Sequence, residues 1–243
     1  MPAGRPPRPA GPSRSVVVTM WLAAIVATAA LVTAAALRAE PAGTASDASV
    51  APSAQGTPVP PNAPMKCGGD PCERLASATV ADEEVELLVG TDGRSGRVRI
   101  AGRSGANVFE TGLPESGVRL TADSLRCADL GRPACLVRGP DVSGVLVGEV
   151  YARDDDGAWF RRATIHSDAG YLELGQVDGA EGVRVIALQR SCGDESPSCR
   201  RVVAQVVDVN GEDISCTRAF ESREQLPGWP NPKLRPDQLE ECF

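Results

Sequence analysis

Few side chains in this sequence have the types and spacing that catalysis needs. The single histidine, His166, stands two residues from Asp168 in "ATIHSDAGY". Such a pair serves as a general base once a nucleophile joins it. A serine hydrolase would add an exposed serine on a sharp turn, and no G-x-S-x-G occurs. S-x-x-K, H-E-x-x-H and a glycine-rich phosphate loop leading into a helix are also missing from the sequence. His166 therefore reads as a surface histidine at a strand end, and no catalytic residue is assigned.

Carboxylates offer two other chemistries. Asp154, Asp155 and Asp156, followed by Gly157, could gather around calcium, as could Asp178 in a later turn or Asp208, Asn210 and Asp213 in "DVNGED". A hairpin tip requires Asp and Gly for its backbone angles regardless, so no metal and no cofactor is expected. Of these residues, Asp154, Asp156 and Asp178 are the calcium candidates. Paired carboxylates in an all-β cleft could also hydrolyse a glycosidic bond. Trp159 and Phe160 follow the acidic tip directly. Neighbours on a strand point to opposite faces, so one enters the core, and Trp159 is the candidate contact residue for a binding partner. Trp229, in "LPGWPNPKLRP", reads as a packing anchor.

The eight cysteines are the most informative chemical groups. Cys67, Cys72, Cys127, Cys135, Cys192, Cys199, Cys216 and Cys242 all lie beyond the apolar N-terminal run, an even count suited to an oxidising compartment. Their spacings do not suit a zinc finger. Eight cysteines allow 105 pairings. Three short loops favour local bridges: "CGGDPC", "CADLGRPAC" and "CGDESPSC" bring their ends within the roughly 5.5 Å that a disulfide needs. That leaves Cys216 for Cys242. Cys192–Cys199 would staple the base of a loop between adjacent strands.

The elements that carry these groups are strands. Period-two alternation runs through Val85–Val89, Arg97–Ala101, Val118–Ala122, Val145–Ala152, Val183–Gln189 and Arg201–Val209. Hairpin signals separate them at Asp92-Gly93, Asp156-Gly157, Asp178-Gly179 and Asn210-Gly211. Three stretches share a strand–turn–strand layout: "VELLVGTDGRSGRVRIAG", "DSLRCADLGRPACLVRG" and "YLELGQVDGAEGVRVIALQ". Their second strands start at Arg97, Ala134 and Val183, a spacing near that of propeller blades. The last stretch, Tyr171–Gln189, resembles the FG-GAP/VCBS family of β-propeller repeats. The resemblance implies an acidic, glycine-rich loop before a buried strand, here with Asp178, Gly179, Glu181 and Gly182; in the family that loop often binds calcium. The alternating aspartates usual in the family are absent, and only about three blades are present. The expected fold is all-β: a disulfide-stabilised irregular sandwich or a small incomplete propeller.

Composition divides the chain into four parts. Residues 1–14 form a short tail carrying Arg5, Arg8 and Arg14 and no acidic residue. Residues 15–37 carry no charge, and as a helix they would be about 35 Å long, enough for a hydrocarbon core of about 30 Å. The positive-inside rule keeps the tail cytoplasmic and places the chain beyond Arg38 outside. This segment reads as a retained signal anchor. A cleaved signal, with an apolar stretch of about 7–15 residues, is the alternative and would give a secreted protein. Residues 38–64, rich in Ala, Pro, Ser, Thr and Gly, have too little apolar surface to fold and read as a disordered stalk. Residues 65–243 remain for the extracytoplasmic domain.

Four of the 25 basic and two of the 32 acidic residues precede residue 65, so the domain carries a net charge of −9. Nucleic acid is therefore not an expected partner, and 4% aromatic residues is too little for a base-stacking platform. The Ala, Gly, Arg and Pro content suits a GC-rich bacterial source. The expected function is an envelope interaction module held in the membrane by residues 15–37 and binding another envelope protein or a glycan. A carboxylate-based envelope hydrolase and a structural subunit of a membrane complex are the alternatives.

Overall fold

The computed structural model describes residues 55–60, 63–103, 105–192, 199–211 and 214–242. The tail at 1–14, the anchor at 15–37 and the stalk as far as residue 54 lie outside them. Among the described residues no helix is long and apolar enough to cross a membrane. The described chain is all-β and antiparallel throughout its sheets, with four disulfides.

Three meanders succeed one another along the chain. The first sheet contains β4 (Glu73–Val80), β5 (Glu83–Val89), β6 (Gly96–Gly102) and β7 (Gly105–Thr111), with β1 (Thr57–Val59) added at the β7 edge. Between β1 and β4 the chain forms a small ribbon, β2 (Lys66–Cys67) with β3 (Asp70–Pro71). The second sheet runs β8 (Leu125–Asp129), β9 (Pro133–Pro140), β10 (Leu146–Arg153) and β11 (Trp159–Ser167). The third runs β12 (Leu172–Gly175), β13 (Arg184–Arg190), β14 (Val202–Asp208), β15 (Ile214–Thr217) and a returning β16 (Leu239–Glu241). Strand β8 lies against β4 on one side and β12 on the other.

Alternation on each strand explains how the sheets stack. Val85 and Leu87 of β5, Val98 and Ile100 of β6 and Phe109 of β7 face the second sheet, where they meet Cys135, Val137 and Tyr151. The opposite face of the second sheet, with Ala134, Leu136, Val150 and Ala152, packs on Val185, Ala187 and Val207 of the third. Ile186, Leu188, Val202, Ala204 and Val206 then face outwards from the third sheet and are covered by Leu226 and Leu234 of the C-terminal segment. Strands β9 and β13 are buried on both faces, which is why "ACLV" and "VIAL" are continuous apolar runs rather than alternating ones.

The disulfides join sequence-near strands. Cys67–Cys72 closes the small ribbon, Cys127–Cys135 links residues directly opposite on β8 and β9, and Cys192–Cys199 spans the loop between β13 and β14. Cys216–Cys242 ties β15 to the end of the chain, next to the β15–β16 pairing. No described cysteine is free. Four such bridges place the folded domain in an oxidising, extracytoplasmic environment.

Three sequence expectations need correction. The domain begins before residue 65: Thr57, Pro58 and Val59 pair with Val108, Asn107 and Ala106 of β7. Composition misses this strand because an edge strand draws its stability from the ladder it joins, and its prolines suit an edge. Val118–Ala122 is not a strand. Its backbone bonds form no ladder: the Val118 N–H donates to the Leu113 carbonyl and the Arg119 N–H to the Pro140 carbonyl (both 2.9 Å), and the chain then turns at Thr121, whose N–H donates to Ser124 Oγ (2.8 Å). Its backbone crosses Gly139 so closely that a Cβ there would lie 2.2 Å from the Arg119 carbonyl oxygen. The repeat also has a different register. "VELLV…RVRIA" is the middle hairpin of its sheet, whereas the other two stretches are first hairpins. The matching first hairpin is β4–β5, turned by Ala81 and Asp82 at φ 49° and 63°, a primed turn without the glycine that marks most such turns.

Candidate functional site

The base of the third sheet gathers what no single sequence motif predicts. Strand β13 ends at Arg190, and the Ser191 N–H donates to the Arg201 carbonyl (2.9 Å) just before Cys192–Cys199 closes the loop. Val202 opens β14 and exchanges two backbone hydrogen bonds with Phe220 (2.9 and 2.8 Å), which brings the C-terminal segment alongside. A short 3-10 turn, Arg223–Gln225, comes directly after Ser222. Between these elements lies a 360 Å³ groove floored by Ala169 and Val202 and walled by Arg190, Arg200, Ser222 and Arg223.

Each wall residue is positioned by a separate device. The Arg190 N–H donates to Asp168 Oδ1 (2.7 Å), which fixes the strand end and leaves the Arg190 guanidinium exposed. Arg223 lies over the Trp229 ring at 5.4 Å, and Trp229 leans on Tyr171, 5.4 Å between centroids. Glu224, also on the rim, meets Arg223 Nε at 3.2 Å. The Ser222 hydroxyl beside Glu224, with Arg223, holds its carboxyl below the usual range. Among the described residues Arg190 and Arg200 have no ion-pair partner. Among the described residues the groove is therefore lined by three arginines and one carboxylate. Two of these arginines flank the "CGDESPSC" loop in the sequence, but a net charge summed over the domain conceals them.

The other sequence candidates fall elsewhere. His166 is exposed on β11, and its carbonyl accepts from the Gln189 side chain (2.7 Å); Asp168 is engaged by Arg190. Asp154 caps the β10–β11 turn, its carboxylate accepting from the Ala158 N–H (2.8 Å). Asp155 pairs with Arg132 (2.6 Å), while Asp156 is exposed at the tip. Asp178 is on the β12–β13 loop, its N–H donating to the Leu234 carbonyl (2.7 Å). Asp208 accepts from the Asn210 N–H (2.9 Å), and Asp213 lies outside the described residues. Among the described residues no three His, Cys, Asp or Glu are grouped to hold a metal ion.

Trp159 requires a correction. It is 3% exposed, part of the core between the first two sheets, and its Nε1–H donates to Glu83 Oε2 (2.7 Å). It is Phe160 that stays half-exposed, beneath the Arg162 guanidinium at 4.6 Å. Trp159 is thus a packing residue and offers no contact surface.

Several carboxylates in or near the core have partners of their own. Glu149 accepts from the Tyr151 hydroxyl (2.7 Å) and the Gly112 N–H (3.1 Å), with Arg161 at 3.9 Å. Glu86 is held by Arg99 (2.5 Å) and Arg74 (3.2 Å). Glu173 pairs with Arg138; burial nonetheless pushes its carboxyl above the usual range, against the pull of Arg138 and Arg126. Each of these three acids is thus held by arginines of its own.

Comparison with protein-family models, with curated proteins and with solved structures finds no match to this chain.

Proposed function

We propose that the chain is a membrane-anchored binding module of the cell envelope, held by residues 15–37 with its N-terminus cytoplasmic and its β domain outside. The single observation carrying this reading is the open groove at Arg190, Arg200, Ser222 and Arg223, a concave polar site of the size that small ligands occupy. The staple Cys192–Cys199 and the strap closed by Cys216–Cys242 meet around it, so the site is preorganised by covalent bonds on two sides. The three meanders, with β4, β8 and β12 lying side by side, support reading the domain as an incomplete propeller whose last blade carries the groove.

The reading is tested by placing a photo-crosslinking amino acid at Ser222 of the full chain in its own cells. An envelope adduct is expected there and not at Val142, a 93% exposed residue on the β9–β10 turn. Equal adducts at both positions, or none at Ser222, would overturn it.

A further inference from the structure

We infer that this groove takes a compact oxyanion, a phosphate or carboxylate group carried on a small polar ligand. The inference rests on the preceding reading of the groove as the ligand site. Its basis is a mismatch between the domain and its groove: the domain carries −9, yet Arg190, Arg200 and Arg223 all line one 360 Å³ hollow, where Glu224 is the one carboxylate among the described lining residues.

Arginine is the residue suited to this task. Its planar guanidinium offers paired N–H donors matched to two oxygens of a carboxylate or phosphate. Arg223 is partly ordered before any ligand arrives, because its guanidinium rests on the Trp229 ring and its Nε meets Glu224. Arg190 and Arg200 line the same groove, and their guanidinium groups have no ion-pair partner among the described residues. The Ser222 hydroxyl, on the same lining, holds Glu224 beside Arg223.

Charge distribution also sets the size of the ligand. At physiological salt, charges further than about 8 Å are largely screened, so the arginines decide what happens inside the groove. A long polyanion would have to continue across an acidic surface and be repelled there. A single phosphate or carboxylate would not.

Calorimetric titration of the full chain in detergent micelles at low salt decides the matter, with inorganic phosphate, glucose 6-phosphate and glucuronate as probes and glucose as the neutral control. Saturable binding of at least one anion is expected, weakened by added salt, with no binding of glucose. Arg190→Gln and Arg200→Gln are exposed changes that should leave melting unaltered and each weaken binding about tenfold. Phosphate-only or glucuronate-only binding would identify which oxyanion is taken, and both support the inference. No saturable binding of any anion, or equal affinity in the Arg190→Gln/Arg200→Gln double variant, would overturn it. An adduct at Ser222 without anion binding would remove the oxyanion and keep the binding module. Anion binding without the adduct would do the reverse.

Discussion

Tyr151 and Tyr171 are the two tyrosines of the chain, and the fold holds both as neutral phenols. Tyr151 is fully buried, and burial pushes its phenol well above the usual range, reinforced by the Glu149 carboxylate that accepts a hydrogen bond from its hydroxyl. Burial, with Glu173 nearby, pushes Tyr171 up to about 12. An unfolded tyrosine ionises near 10. The folded state therefore keeps protons that the unfolded chain releases, and the resulting stability is complete below pH 10 and lost as pH rises towards 12. Absorbance at 295 nm should accordingly stay flat through pH 10.5 and rise only with alkaline unfolding. A tyrosinate signal appearing near pH 10 with the β-sheet circular dichroism intact would contradict the burial of both rings. Tyr171→Phe should shift the alkaline unfolding midpoint upwards.

The residue scale is also where the sequence is least legible. Trp159 reads as a surface aromatic because it comes just after an exposed turn, but which face of β11 turns inward is decided by the first sheet, through Glu83. Carboxylates that the sequence leaves available are spent on Arg74, Arg99, Arg138 and Arg161, partners 12 to 35 residues away in sequence. The groove arginines are scattered in sequence: the β13–β14 ladder brings Arg190 to Arg200, and the pairing of Val202 with Phe220 brings Arg223 to both.

Elements are far more legible, and their local chemistry explains why. Asp92-Gly93, Asp156-Gly157, Asp178-Gly179 and Asn210-Gly211 each lie between paired strands, since the glycine at positive φ sets the turn without help from elsewhere. The cysteine loops pair locally because so few residues separate their ends. Hidden from the sequence are the β4–β5 hairpin, whose Ala81-Asp82 turn has no glycine, and β1, which exists only against β7. The proline-rich C-terminal segment is a strap across the third sheet, anchored by Leu226 and Leu234, with Trp229 half-buried. The strap's bridge closes a 26-residue separation, worth about 3.5 kcal/mol on the chain-entropy model. Cys242→Ser should therefore lower the melting temperature by on the order of 10 °C and make Trp229 more accessible to quenchers. Leu234→Ala, at a fully buried position, should cost about 2–5 kcal/mol with the bridge intact. Unchanged melting in both variants would show that the strap holds nothing down.

At the scale of the whole molecule the question is why the stack stops at three sheets. Any face-to-face stack leaves two outer faces, and an apolar one invites further copies. The two ends are closed differently. On the first sheet the outer face carries Arg74, Glu84, Glu86, Arg97, Arg99 and Glu110 in cross-strand ion pairs, a charged surface even where Glu86 and Arg99 are themselves largely covered. On the third sheet it carries Ile186, Leu188, Val202, Ala204 and Val206, over which the C-terminal segment lays Leu226 and Leu234. The strap is thus the cap of the stack as well as a wall of the groove. A chain ending at Thr217, with Cys216→Ser to remove the orphaned thiol, should expose that face and self-associate in sedimentation velocity, with strong binding of an apolar dye. The full-length Leu226→Asp/Leu234→Asp variant tests the same face without deleting the segment, and it should bind the dye while keeping its disulfides. Glu110→Ser, a change on the charged outer face of the first sheet, should cause neither self-association nor dye binding. Monomeric behaviour and no dye binding in both strap variants would mean that the outer face of the third sheet does not need a cover, and the account of where the fold ends would fall with it.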